Sequence, residues 1–201
     1  MQLICVRHGR TAWNAERKFQ GHTDVPLDDE GRAQARGLAA LLGDARIDLA
    51  VASDLSRAAE TARIVLGARP IPLRLDPAWR EMRFGDWEGL TWEQIVAANP
   101  ELDPGNVTSP RTYTARGGES FEQLCVRIAA AVATVQAALA DEGVALIATH
   151  AGPLHALLRT LLGEDDGPAL KVRFLPASLT RFARLGGRWR LESLNQTAVA
   201  S

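Results

Sequence analysis

Leu3-Ile4-Cys5-Val6-Arg7-His8-Gly9-Arg10-Thr11 is the stretch on which the fold turns. Four apolar residues in a row read as a strand buried on both faces. The run stops in a cation, an imidazole and a glycine. In an open α/β sheet, ligands sit at the carboxyl ends of strands, so this strand is expected to deliver a histidine and two arginines to a site. Gly9 allows a tight turn or the close approach of a ligand. Arg7 and Arg10 carry forked donors that match phosphate oxygens. Thr11 adds a hydroxyl and can begin a helix, and Asn14 lies one turn further on. His8 has three functional roles open to it: anion ligand, general base or nucleophile. A neutral imidazole can attack phosphorus without a strong base, because its pKa is already close to 7. The plainer reading is a histidine satisfied at a strand end.

The chain downstream weighs on that choice. Val144-Ala145-Leu146-Ile147-Ala148-Thr149 is a second buried run, and it too ends in a histidine, His150, followed by Ala151-Gly152. Two buried strands that each deliver a histidine at the carboxyl end make coincidence hard to sustain. Between them, Asp28 or Asp29 is expected to cap a helix over about 30–43, Leu49–Ala52 reads as a strand, and Ser53-Asp54 reads as a cap for a helix to about Leu66. Arg57 falls near the amino end of that helix. It is either a solvated surface arginine or a partner of the helix terminus in holding an anion. Ile71–Leu75 reads as a third short strand. The stretch 79–91 has no clean period and holds two tryptophans, and in it Glu81 or Glu88 is a candidate general acid. Thr91 is expected to start a helix through Ala98. The stretch 99–120 reads as a long loop, Ser120 or Glu119 as the opening of a helix to about Asp141, and Pro153 as the start of one to about Leu162. His155 on that last helix reads as structural. Gly186-Gly187 links a closing hairpin.

Bulk properties narrow the classes. The chain has 201 residues, an apolar fraction of 46%, and 23 basic against 24 acidic residues. It is expected to form a single unit over 1–201 with a small cap or loop region at about 83–120. A net charge of −1 gives no reason to expect a nucleic-acid partner. No apolar run approaches membrane-spanning length. Cys5 and Cys125 lie far apart, and the histidines form no zinc-type pattern with acids or cysteines. Neither a metal nor a cofactor is expected, and the cysteine usage suits a reducing, cytoplasmic setting. Oligomeric state is not readable.

Taken in order, these residues resemble the histidine phosphatase superfamily, which includes the cofactor-dependent phosphoglycerate mutases. The resemblance spans nearly the whole chain: Arg7-His8-Gly9 with Thr11 and Asn14; Gly21 with Asp24-Val25-Pro26-Leu27 and Gly31-Arg32-Ala33; Ser53-Asp54-Leu55-Ser56-Arg57-Ala58; Glu81 with Phe84-Gly85 and Trp87-Glu88-Gly89; Gly117-Gly118-Glu119-Ser120; and Thr149-His150. It implies a three-layer α/β/α fold with a mostly parallel central sheet, phosphoglycerate mutase-like. It implies that His8 becomes phosphohistidine, that Arg7, Arg57 and His150 grip the phosphoryl oxygens, and that Glu81 protonates the leaving alcohol. His150 would act charged, or at least as a donor. Phosphate and substrate contacts are expected from Arg7, Gly9, Arg10, Thr11, Asn14, Gln20, Gly21, Arg57, His150 and Ala151.

Three departures stand out. Ala151 occupies a position where many members carry a second glycine, and Pro176 and Gln196 stand where an asparagine and an acid are common. The form Phe84-Gly85-Asp86-Trp87-Glu88-Gly89 and the short span after it resemble the phosphatase branch, which includes α-ribazole phosphatases and broad-specificity bacterial members. The reading is therefore a metal-independent phosphomonoesterase for a small phosphorylated metabolite. The alternatives are a bisphosphoglycerate-dependent mutase and a non-catalytic phosphate-binding module. Arg83, Arg111 and Arg116 are candidates for a second anion contact at the rim, and Trp87 and Trp92 are read as core.

Overall fold

The sheet is built from the runs that the apolar pattern singles out. In the computed structural model, which describes residues 1–100, 102, 113–163 and 172–198, β1 (Gln2–Arg7) pairs in parallel with β4 (Val144–Thr149). Beyond β4 lie β2 (Leu49–Ala52) and β3 (Leu73–Leu75), both parallel to it. On the other side of β1 the antiparallel hairpin β5 (Leu179–Leu185) and β6 (Arg188–Gln196) closes the sheet. The order is β3-β2-β4-β1-β5-β6, a mostly parallel six-stranded sheet.

Alternation along the strands explains the layers. Leu3, Cys5, Leu49, Val51, Ala145 and Ile147 face one core, packed by α5 (Phe121–Ala137) and α6 (Ala151–Leu162). Ile4, Val6, Ala50, Val144 and Leu146 face the other, packed by α2 (Asp29–Leu42) and α3 (Ser56–Leu66). Strands covered on both faces read as unbroken apolar runs. A smaller cluster gathers Trp87, Ile95, Leu102 and Ala115 with Phe19, Phe84, Trp92 and Tyr113 beside α4 (Trp92–Ala98). Among the described residues, no helix is long and apolar enough to cross a membrane.

Several boundaries differ from expectation for visible reasons. Ser53 and Asp54 do not cap α3. Its N-cap is Leu55, which makes no side-chain cap bond, and Asp24 reaches across to accept from the Ser56 N–H and hydroxyl at 2.8 and 2.7 Å. α6 begins at Ala151, with Pro153 inside its first turn, where its missing N–H costs nothing. β3 is shorter than the apolar run suggested, starting only after Pro72. α5 stops at Ala137, and the chain turns through Gly143, whose N–H donates to the Ala140 carbonyl, into β4.

Register sets up the site. Arg7 lies beside Thr149, and Ala52 beside Ala148. The next residues, His8, His150 and Ser53, therefore leave three neighbouring strand ends on the same edge. Gly9 makes the following turn fit: a Cβ there would overlap the Gly31 carbonyl at the start of α2.

The core account makes a direct prediction. Ile128, fully buried on α5, should cost about 2–5 kcal/mol when truncated to alanine. Urea denaturation of Ile128→Ala measures this, and a loss under about 0.5 kcal/mol, the range of an ordinary surface change, would contradict the packing described.

Candidate active site

His8 leaves β1 with its backbone N–H on the Thr149 carbonyl and its own carbonyl on the Ala177 N–H. Its Nδ1 lies 2.7 Å from the Gly9 carbonyl oxygen. A carbonyl only accepts, so Nδ1 carries the proton and Nε2 keeps a lone pair. Burial, then Arg57 and Arg7, hold the imidazole well below its usual pKa, so it is neutral.

His150 sits beside it, ring centres 5.1 Å apart. Arg57 Nε donates to His150 Nδ1 at 3.2 Å, and His150 Nε2 donates to Ser53 Oγ at 2.9 Å. Burial and the neighbouring cations keep this ring neutral as well. A charged His150, one of the two forms expected from sequence, is thereby replaced by a neutral donor whose Nδ1 steadies Arg57.

Arg57 is fully buried in the first turn of α3. Its Nη1 and Nη2 donate to the Thr23 and Gly21 carbonyls at 2.9 and 2.8 Å. Three of its five donors are thus used, and two remain for a ligand. Arg7 donates through Nη1 to the Phe174 carbonyl at 2.5 Å, and its buried Nε has no partner among the described residues. Burial pushes its pKa down to about 10, with Glu81 opposing and Arg173 and Arg57 adding to the fall.

Glu81 brings the acid. Its Oε1 accepts from the Met82 and Gly152 N–H groups, both at 2.9 Å. Burial raises its pKa against the pull of those bonds and of Arg57 and Arg7. A Cβ on Gly152 would overlap Glu81 Oε1. The glycine that matters after His150 is therefore Gly152, and Ala151 is accommodated in the α5/α6 core.

His8, Arg57, Arg7 and Glu81 share one cavity of about 360 Å³, lined also by Asn14, Gln20, Arg17, Lys18, Phe19, Phe84 and Arg173; His150 and Ala151 are not among its described lining residues, and His150 reaches the site through Arg57. A profile of the histidine phosphatase superfamily (branch 1) matches residues 3–197. The chain belongs to the histidine phosphatase superfamily.

Relatives of this histidine phosphatase carry both phosphatase and phosphoglycerate mutase names. It is 32% identical over 197 residues to the uncharacterized phosphatase PhoE of Bacillus subtilis, which covers 97% of this chain and 95% of that protein. It is 34% identical over 162 residues to the adenosylcobalamin/alpha-ribazole phosphatase of Salmonella typhimurium, covering 81% and 80%. A solved mycobacterial glucosyl-3-phosphoglycerate phosphatase, in complex with VO3, superimposes with a TM-score of 0.86 at 34% identity, over 96% of this chain and 98% of that one.

Not every residue expected at the site faces the cavity. Asn14 does: its Oδ1 accepts from the Thr11 N–H and hydroxyl, which leaves its amide N–H groups as donors. Gln20 does, with a buried Oε1 that has no partner among the described residues. Arg10 does not. Its Nε pairs with Asp28 at 2.8 Å and its Nη1 with Glu30, which draws it to the start of α2. Thr11 is buried and caps the short helix α1 (Ala12–Ala15). Gly9 donates to Thr61 Oγ1, and Gly21 serves through its carbonyl to Arg57. Arg83 and Arg116 are exposed and do not line the cavity, and Arg111 lies outside the described residues.

Two supports went unread in the sequence. Glu88, an open alternative for the acid, instead accepts from the His22, Thr23 and Phe84 N–H groups and the Thr23 hydroxyl, which hold its carboxyl below the usual range. It fixes the loop whose carbonyls grip Arg57. Arg127 on α5 donates to the Ala78, Arg80 and Glu81 carbonyls and binds Glu119 through Nε and Nη2 at 2.9 and 2.6 Å. His22 Nε2 also donates to the Glu81 carbonyl.

Two outcomes are expected. Gly152→Ala should displace the acid and lower kcat by about 10²-fold, the usual effect of a misplacement near 1 Å, with the fold retained by circular dichroism; unchanged kcat would contradict the contact. Stability should fall as pH drops below about 6.5. There the unfolded histidines bind protons that the native His8, His22 and His150 refuse, whereas Glu81 alone of the site works in the opposite sense. Equal or higher urea midpoints at pH 5.5 than at pH 7.5 would contradict the assignment.

Proposed function

We propose that this histidine phosphatase is a metal-independent phosphomonoesterase that hydrolyses a small phosphorylated metabolite through a phosphohistidine on His8. The observation that carries the reading is the His8 tautomer. The Gly9 carbonyl holds the proton on Nδ1, so the lone pair on Nε2 is available in the cavity. The chemistry needs alignment and charge stabilisation more than covalent assistance. Arg7 and Arg57 supply that charge from a desolvated floor, where preorganised donors act most strongly. Asn14 adds its amide donors, and the neutral His150 holds Arg57 in place through Nδ1.

The steps balance. Nε2 attacks phosphorus, and the ester P–O bond breaks as protonated Glu81 passes its proton to the departing oxygen. The resulting carboxylate then takes a proton from water. The water oxygen attacks phosphorus, the P–N bond breaks, and inorganic phosphate leaves with His8 neutral again. The raised pKa of Glu81 suits it to both directions. A cytoplasmic setting is part of the proposal, and the two unbridged cysteines support it: Cys125, and Cys5 in β1, where burial pushes the thiol up.

Hydrolysis of a simple aryl phosphate in the presence of a chelator tests the proposal. Turnover should survive chelation and vanish in His8→Ala. Persistence in that variant would overturn the nucleophile, and phosphoryl transfer seen only with bisphosphoglycerate would point to a mutase. Glu81→Gln should slow alkyl phosphates by about 10²–10⁴-fold and activated aryl phosphates far less, because a good leaving group needs little protonation. Equal losses on both would remove Glu81 from the acid role.

A further inference from the structure

The cavity is more cationic than one phosphoryl group requires. Beyond Arg7 and Arg57, its lining includes Arg17, Lys18 and Arg173, while Glu81 is the one acid among its described lining residues. Arg17 and Lys18 follow α1, and Arg173 arrives from a distant stretch of chain. The Arg173 backbone is held in place: its carbonyl accepts from Asn195 Nδ2 at 2.8 Å, and the next residue, Phe174, receives Arg7.

Arg17 occupies an unusual backbone position. Its N–H donates to the Asn14 carbonyl and that of Lys18 to the Trp13 carbonyl, the two bonds of a Schellman helix ending. Arg17 is the residue that such an ending places at positive φ, and here φ is 57°. Glycine is favoured in this slot, and a side-chain-bearing residue is strained there. The chain places a long cation in the slot and so puts a guanidinium at the cavity. Lys18 shares its charge with Glu16 at 2.6 Å, and Glu93 lies within electrostatic reach of Arg17. Arg17 and Arg173 are both exposed, so their charges are met at the outer part of the cavity.

From this arrangement we infer that Arg17 and Arg173, with Lys18, form a second anion subsite, and that the substrate is a phosphomonoester bearing a further anionic group such as a carboxylate. The inference deepens the phosphomonoesterase reading and rests on it. A cavity of about 360 Å³ has room for a small metabolite beyond its phosphoryl group. The floor cations take the scissile group, and the outer ones select what is attached to it. The residues differ from Arg83, Arg111 and Arg116, which the sequence had put forward for such a contact.

The test uses matched pairs: ω-carboxyalkyl phosphates with two to five methylenes, against alkyl phosphates of equal length. The leaving oxygen is the same type within a pair, so the kcat/KM ratio isolates the second anion. The native protein should prefer one or more carboxylated members by about tenfold, the sum of two or three partly exposed charge contacts, and the preference should shrink with added salt. Arg17→Gly and Arg173→Gln together should bring the ratio close to one, through KM. Arg17→Gly alone should keep or raise the thermal midpoint, because glycine relieves the positive φ, while still lowering the ratio. No preference in the native protein, or one that survives the double variant, overturns the subsite.

Calorimetric binding of the same pairs to His8→Ala keeps the two readings separate. Selective binding without native hydrolysis would overturn the hydrolytic reading and leave the subsite standing. Hydrolysis without selectivity would do the reverse, and binding of neither member would overturn both.

Discussion

Two guanidinium groups, one fully and one partly buried, lie beside two neutral imidazoles, and the rest of the molecule is arranged to tolerate this. Among the described residues, Arg7 and Arg57 have no bound carboxylate partner. They are held by the carbonyls of Phe174, Gly21 and Thr23 and by the Nδ1 of His150. Carbonyls orient a cation without cancelling its charge. The site therefore keeps a strong positive field in a desolvated place, and burial first, then that field, keeps His8 and His150 unprotonated. An oxyanion entering the cavity meets donors already aimed at it, with no reorganisation left to be done.

The supporting shell follows from that constraint. The loop that grips Arg57 is pinned by Glu88, and Asp24 of the same loop caps α3, the helix that bears Arg57. The segment that bears Glu81 is stitched by Arg127 to Glu119, and by Thr149 Oγ1 to the Trp79 carbonyl. Exposed ion pairs of this kind are each worth little. Here they act as part of networks that hold a backbone in place, and the Arg127 pair is partly sheltered.

What the sequence made legible was whatever is encoded locally. The unbroken apolar runs of β1 and β4 marked strands covered on both faces, and their shared ending in histidine marked the active edge. Glu81, Arg57 and Asn14 were named as site residues from the ordered motifs, and the structure brings them to one cavity. Arg10 was misplaced because forked donors suit carboxylates as well as phosphates, and Asp28 and Glu30 are nearer. The caps proposed from Ser53 and Asp54 failed because Ser53 bonds His150, Asp54 binds Arg80, and Asp24 does the capping from elsewhere in the chain. Arg17 and Arg173 were illegible because their relation to the cavity depends on a helix ending and on tertiary folding, and neither leaves a pattern in spacing. Arg127 and Glu88 were hidden for the same reason: their partners are mostly backbone carbonyls and amides, which every residue possesses.

The central claim concerns one imidazole, and the nitrogen chemical shifts of His8, followed by NMR from pH 5 to 8, test it most directly. The account predicts a single neutral form with the proton on Nδ1, no titration near 6.5, and the loss of the free Nε2 signal when inorganic phosphate analogues occupy the floor. A His8 that titrates near 6.5, or that carries its proton on Nε2, would contradict the account.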